Sequence, residues 1–301
     1  MKKLMFLFVA LTATVALAYA EPEIARERYS NNYGFRDFTK LSVSNAFKVE
    51  LYFENRYEVS VDVPDWIEPY LKVIQKGDRV SIGLKQLPAS VQRKLNKDNT
   101  LTARVAVPKL TSLHMSGASS VTPTGMLSLG DETLFIDISG AAKLNSLVAE
   151  GRGRCDIEMS GACKAVMELS FKNLVTDVSG ASNLNLNGSA DKLAIECSGA
   201  SNAIFNGDYN IVKAEVSGAS DATVNGDADN LSLEVSGASG FECTGISLQV
   251  RAELSGASKA RVTVTESLEY DLSGASTLKV KNMRADVSGE TSRGSKLVFI
   301  K

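Results

Sequence analysis

"AEVSGASDATVNGDADN" (Ala214–Asn230) decides the fold. One period earlier the chain reads "IECSGASNAIFNGDYN" (Ile195–Asn210), and one period later "LEVSGASGFECTG" (Leu233–Gly245). The same Ser-Gly step recurs at Ser116, Ser139, Ser160, Ser179, Ser198, Ser217, Ser236, Ser255, Ser273 and Ser288. Spacings are 23 and 21 at first, then 19, then 18 after Ser255 and 15 at the end. Self-similarity at a fixed period means stacked units, so each serine can serve as an alignment point.

The residue before each serine, from Met115 to Val287, is apolar without exception. Positions three and five before it, such as Ile195 and Leu193, repeat the pattern with Thr176 inside it. Five and seven after it stand residues such as Ala203 and Phe205, with Pro123 and Ser146 as departures. Apolar letters at every second position describe strands with one face inward. Gly188, Gly207, Gly226 and Gly245 close the middle units. Each unit is therefore a strand, a Ser-Gly-Ala-Ser corner, a second strand and a glycine turn.

Two strands and two corners in so short a unit leave no room for a helix, and the helical period of apolar residues is absent. The pattern predicts an all-β, single-stranded, right-handed parallel β-helix, each strand pairing with its equivalent one coil away. Ten such coils would make a rod about 45 to 50 Å long at the usual strand spacing of ~4.8 Å. An antiparallel sandwich or propeller is the alternative, but each propeller blade needs about twice the length of this unit. In the corner, glycine allows a positive φ or close coil-to-coil approach. The alanine column from Ala118 to Ala275 is expected to point into a tight interior.

The chain divides as follows. Residues 1–20 carry Lys2 and Lys3, an apolar run and Ala18-Tyr19-Ala20, the pattern of a signal peptide. Residues 21–34 are expected as a linker, 35–108 as an N-terminal β region capping the solenoid, and 109–301 as the β-helix. Ser44-Asn45-Ala46-Phe47 reads as a degenerate first corner, and Leu87–Asn99 as an excursion with a short helical turn. The expected location is periplasm, cell surface or medium. No cysteine closely follows the cleavage site, so a lipid anchor is not expected, and no second apolar run is long enough to span a membrane. The formal net charge of −2 argues against nucleic acid as a partner. Cys155, Cys197 and Cys243 fall in apolar columns as small core residues, and Cys163 replaces a corner serine. The column map leaves their pairing open.

The "F..L.VSNAFKVEL" opening, the "DVPDWIEPYLKVIQKGDRVSIGL" stretch, the "VAVPKLTSLHMSGASSV" entry and the SGAS ladder together resemble the auto-transporter adhesin head GIN domain family of Bacteroidetes-type exported proteins. The resemblance covers essentially the whole mature chain, from near Glu21 onward. It implies a right-handed β-helix and an adhesin label, and it brings no catalytic or binding residue with it.

One outward column stands apart. Two positions before each serine stand Asp137, Glu158, Asp177, Glu196, Glu215, Glu234, Glu253, Asp271 and Asp286, with His114 at the start. Like charges in register repel and are usually avoided. Lys213, Arg251 and Arg284 lie two positions earlier in some coils. The column is either a binding ridge for calcium (Ca2+) or a cationic partner, since carboxylates are hard oxygen ligands, or a solvated face that blocks lateral aggregation. The Asn206-Gly207-Asp208 and Asn225-Gly226-Asp227 pieces, and the Asn187–Asn206–Asn225 ladder, read as turn structure. Repeated corner serines with a single histidine cannot be a catalytic triad. No catalytic residue is assigned and no enzyme is expected. Three function classes follow: a non-enzymatic binding or adhesion module facing a glycan or surface protein, an envelope spacer, and a polysaccharide lyase or hydrolase for which Arg152 and Arg154 are the candidates.

Overall fold

The structure, a computed structural model, describes residues 27–97, 101–282 and 284–300, with the side chains of Lys97 and Asn282 left aside. The expected signal peptide lies outside the described residues, as does Met283 of the apolar columns.

The chain folds as a β-solenoid. From Ser112 onward every strand pairing is parallel, and the strands of the middle coils pair with the coil before and the coil after. Ile195 is in register with Thr176 below and Ala214 above, and Phe205 with Leu186 and Val224. That register is incompatible with a sandwich of antiparallel hairpins. The odd-offset residues form the core: Leu193, Ile195, Cys197, Ala203 and Phe205 are all buried, whereas Glu196, Glu215 and Glu234 are exposed. At Ser146 a positive φ of 50° marks a bulge. Leu147 then takes the inward place that the period assigns to Ser146 and pairs with Met167.

The corner differs from expectation in one respect. Its glycines hold φ between 68° and 90° from Gly117 to Gly274, a region that costs an L-residue strain. A Cβ on Gly218 would meet the Gly199 carbonyl oxygen at 2.6 Å. The tight position is therefore the glycine. The alanine column is exposed in every coil, and no contact in the structure requires alanine there. The residue after it is the buried one: Ser119, Ala142, Cys163, Ser182, Ser201, Ser220, Ser239, Ser258, Ser276 and Ser295. A buried hydroxyl needs an acceptor. The Ser201 hydroxyl lies 2.9 Å from the Val178 carbonyl and 2.6 Å from that of Ser198. The Cys163 thiol reaches the Ser160 carbonyl at 3.0 Å. The backbone ladder runs straight through the turn: Ser217 N–H donates to Cys197 at 2.9 Å, Ala219 N–H to Gly199 at 2.8 Å and Asp221 N–H to Ser201 at 3.0 Å.

The last corner also moves. Ser288-Gly289 lies inside the strand Asp286–Thr291, where Gly289 pairs with Tyr270. The true corner is Ser292, whose N–H donates to Leu272 one coil down. Counted from Ser273, it keeps the period of the middle coils.

The N-terminal region is a mixed sheet that closes one end of the solenoid. Its strands are β1 (Arg28–Tyr33), β2 (Lys40–Val43), β3 (Lys48–Phe53), β4 (Glu58–Pro64), β5 (Leu71–Lys76) and β6 (Arg79–Leu84). After helix α1 (Ala89–Lys97) come β7 (Thr102–Val107), β8 (Ser112–Met115) and β9 (Ser120–Thr124). Strands β2 and β3 flank the degenerate corner and stack under β8 and β9. Asn45 adopts φ 64°, the left-handed conformation its glycine equivalents hold. On the far side β6 and β7 add to β2 and β3 in parallel. Strands β5, β4 and β1 then finish the edges antiparallel. Strand β1 falls within residues 21–34, expected as linker, because Tyr29, Asn31 and Tyr33 alternate inward against β4. Residues Asp65–Tyr70 form a 3-10 helix with Ile67 buried.

Candidate functional site

The carboxylate column is built by register alone. Asp137 pairs with Glu158, then in turn with Asp177, Glu196, Glu215, Glu234, Glu253 and Asp271. Asp271 is next in register with Glu290, whereas Asp286 pairs with Ser267. The shifted last corner moves Asp286 out of the ridge and Glu290 into it. Counting back two positions from Ser292 finds the correct acid, so the signal is present in the sequence.

Counter-charges are local and few. The Asp137 carboxylate lies 2.7 Å from His114 Nδ1. Lys213 Nζ lies 2.6 Å from Glu215, and its ammonium is held above its ordinary pKa by that carboxylate. Arg251 reaches Glu253 at 3.1 Å. Arg284 precedes Asp286 and so does not share this register. Between Glu196 and Asp271 the carboxylates border a shallow groove of about 300 Å³, whose other wall is the first corner serine of each coil, Ser217, Ser236 and Ser255. Among the described residues no three His, Cys, Asp or Glu side chains converge to cage a metal ion. A divalent cation here would be shared along the row and keep much of its water.

The other sequence candidates resolve into structure. Asp208 Oδ1 accepts the Asp227 N–H at 3.0 Å, and Asp227 Oδ1 accepts the Ile246 N–H at 2.7 Å. These carboxylates carry the ladder across the glycine turn. The asparagines do the same with amides: Asn206 Nδ2 donates to Asn187 and Asn225 Nδ2 to Asn206, both at 2.8 Å. Arg152 forms a two-pronged pair with Asp131 at 3.0 Å, and Arg154 meets Asp156 at 2.5 Å. Each arginine is paired with a carboxylate, Asp131 on open surface and Asp156 half-buried. All four cysteines are free and buried, and burial raises the thiol pKa of each. They are core residues, poor nucleophiles and poor ligands. Among the described residues no helix is long and apolar enough to cross a membrane.

The sequence profile of the family described as "Putative auto-transporter adhesin, head GIN domain" matches residues 37–207 and 190–283. The chain belongs to this family. The GIN-domain assignment takes in both the mixed-sheet cap and the stacked corners. Among solved structures, one described as a "putative adhesin" from Parabacteroides distasonis is similar at 15% identity and TM-score 0.50, covering 92% of this chain and 98% of that one. One described as a "putative adhesin" from Parabacteroides merdae has 15% identity and TM-score 0.48, covering 91% and 97%. One described as a "Putative lipid binding protein" from Parabacteroides distasonis has 13% identity and TM-score 0.47, covering 91% and 97%. At 15% identity the first of these likenesses concerns the fold alone. No curated protein matches the sequence.

Proposed function

We propose that this GIN-domain chain is an exported, non-enzymatic binding module of the adhesin kind. It offers the long side of its solenoid to a glycan or protein on a neighbouring surface. The observation that carries this reading is the ridge: nine carboxylates from Asp137 to Glu290 in one parallel register, with only scattered cations beside them. Repulsion along such a row is relieved by bound calcium or by a cationic partner. A ligand that binds only the folded state raises its stability by mass action. The family label supports adhesion over catalysis, and the two lyase candidates, Arg152 and Arg154, are each paired with a carboxylate.

The test compares melting temperatures in millimolar calcium and in sodium of matched ionic strength, alongside a glycan array with and without calcium. Calcium should raise the melting temperature more than sodium does, and array binding should depend on it. Changing Glu196, Glu215 and Glu234 to Gln should abolish the difference. Equal action of the two salts would make the ridge solvated surface. An empty array would turn the reading toward an envelope spacer.

A further inference from the structure

A second face, remote from the ridge, has the shape and chemistry of a built site. The outward surfaces of β1, β4, β7, β3 and β9 form a trough of about 810 Å³. Two rows of side chains cross it in register. One runs Ser30, Asp62, Thr102, Lys48, Ser120. The other runs Asn32, Ser60, Arg104, Glu50, Thr122. Short hydroxyl side chains at Ser60, Thr102 and Ser120 are half-buried and make the floor, while Lys48, Glu50 and Arg104 rise exposed around them. Twisting of the mixed sheet gives the face its curvature.

The charges in the trough are unequally matched. Asp62 is taken by Arg28 at 2.7 Å, and Glu50 accepts the Tyr52 hydroxyl at 2.9 Å. The Arg104 guanidinium lies over the Tyr52 ring, 4.4 Å from its centroid, and 3.9 Å from Glu58. No carboxylate pairs with Lys48 among the described residues. Beyond the trough the same row continues from Ser120 to Lys143 and Lys164, also without carboxylate partners among the described residues. Lys48, Lys143 and Lys164 thus fall on one line with Ser120 among them, and Asn183, Asn202 and the carboxylate of Asp221 follow. The spacing is that of neighbouring strands, ~4.8 Å or a small multiple of it.

We infer that this trough binds a linear acidic polysaccharide, its carboxylates meeting Lys48, Arg104 and Lys143 and its hydroxyls meeting the Ser, Thr and Asn side chains. Asp62 is held by Arg28 and Glu50 by Tyr52, so the cations left along this line, Lys48 in the trough and Lys143 and Lys164 beyond it, favour an anion. The polar floor selects a polyol over an apolar ligand. Glu50 and Asp62 inside the trough, and the chain's net charge of −2, disfavour the dense phosphates of nucleic acid. The inference rests on the reading of the chain as a binding module but not on the ridge.

The probe is polygalacturonate, with its fully methyl-esterified form as the neutral twin and polyglutamate as the acidic peptide. The full chain should bind polygalacturonate in a salt-dependent way and bind the other two weakly. Lys48→Gln with Lys143→Gln should weaken binding about tenfold or more, as expected for loss of charge-assisted contacts. Lys259→Gln with Lys296→Gln, on the same column at the far end, should leave it unchanged. Both variants alter exposed side chains, and an unchanged melting temperature would show that the fold is kept. Equal binding of the methyl ester or of polyglutamate overturns the inference, as does undiminished binding by the first variant. In that last case the binding-module reading still stands. A chain that holds neither this probe nor anything on the array loses both.

Discussion

Gly218 and Ala219 sit side by side in one corner and should respond oppositely to enlargement. Gly218→Ala forces a Cβ against the Gly199 carbonyl at a φ of 74° and should cost about 2 to 3 kcal/mol in denaturant unfolding. Ala219→Leu points into solvent and should stay within about 0.5 kcal/mol. Tyr209 offers a third case. Its hydroxyl is buried without a hydrogen-bond partner, and burial raises its pKa. Tyr209→Phe should leave stability equal or raise it by about 1 kcal/mol, since an unsatisfied polar group is removed. The burial of the second corner serine is legible in the sequence. Counting the two-residue period straight through the turn puts Ser220 inward and Ala219 outward, whereas small size alone suggests the reverse. Which hydroxyls find acceptors is not legible, because the turn brings a hydroxyl against carbonyls of the neighbouring coil, far away along the chain.

An element of this molecule is a coil, and its weakest point is the glycine turn. There a Cβ on Gly207 would strike the Gly188 carbonyl, and the Asp208 and Asp227 carboxylates add to the backbone bonds that Gly207 and Tyr209 N–H make to Asn225 and Asp227. Asp227→Ala removes the acceptor for the Ile246 N–H and should cost about 1 kcal/mol. Asp227→Asn, which keeps an oxygen, should cost less; urea midpoints of the two variants decide it. A larger loss for Asn than for Ala would mean that the carboxylate does not hold this turn. The coil plan and most of the ridge are readable because every coil repeats the same offsets. The last coil misleads because Ser288-Gly289 imitates a corner ahead of its place. The true one, Ser292-Arg293-Gly294-Ser295, has its glycine displaced by one. The trough leaves no such signature. Its rows join residues from β1, β4 and β7, which carry no repeat, and only the parallel addition of β7 to β3, followed by antiparallel β4 and β1, brings them together.

At the scale of the whole molecule, stability is a sum of similar coils and the contacts between them. Deleting residues 196–214 joins Ile195 to Glu215 and removes one complete period without shifting any column. The shortened chain should unfold cooperatively with a reduced denaturant m-value, since less surface is exposed. Deleting one residue fewer leaves an extra residue that is either absorbed in a bulge, as at Ser146, or turns every following side chain to the opposite face, and it should lower the denaturant midpoint. The two deletions differ by one codon. An in-frame copy or loss of a coil therefore leaves a working rod with no bulge to build, whereas other length changes within the array need one. Such a gene can lengthen or shorten its product in steps of one strand spacing, and reach becomes a trait that replication slippage can tune.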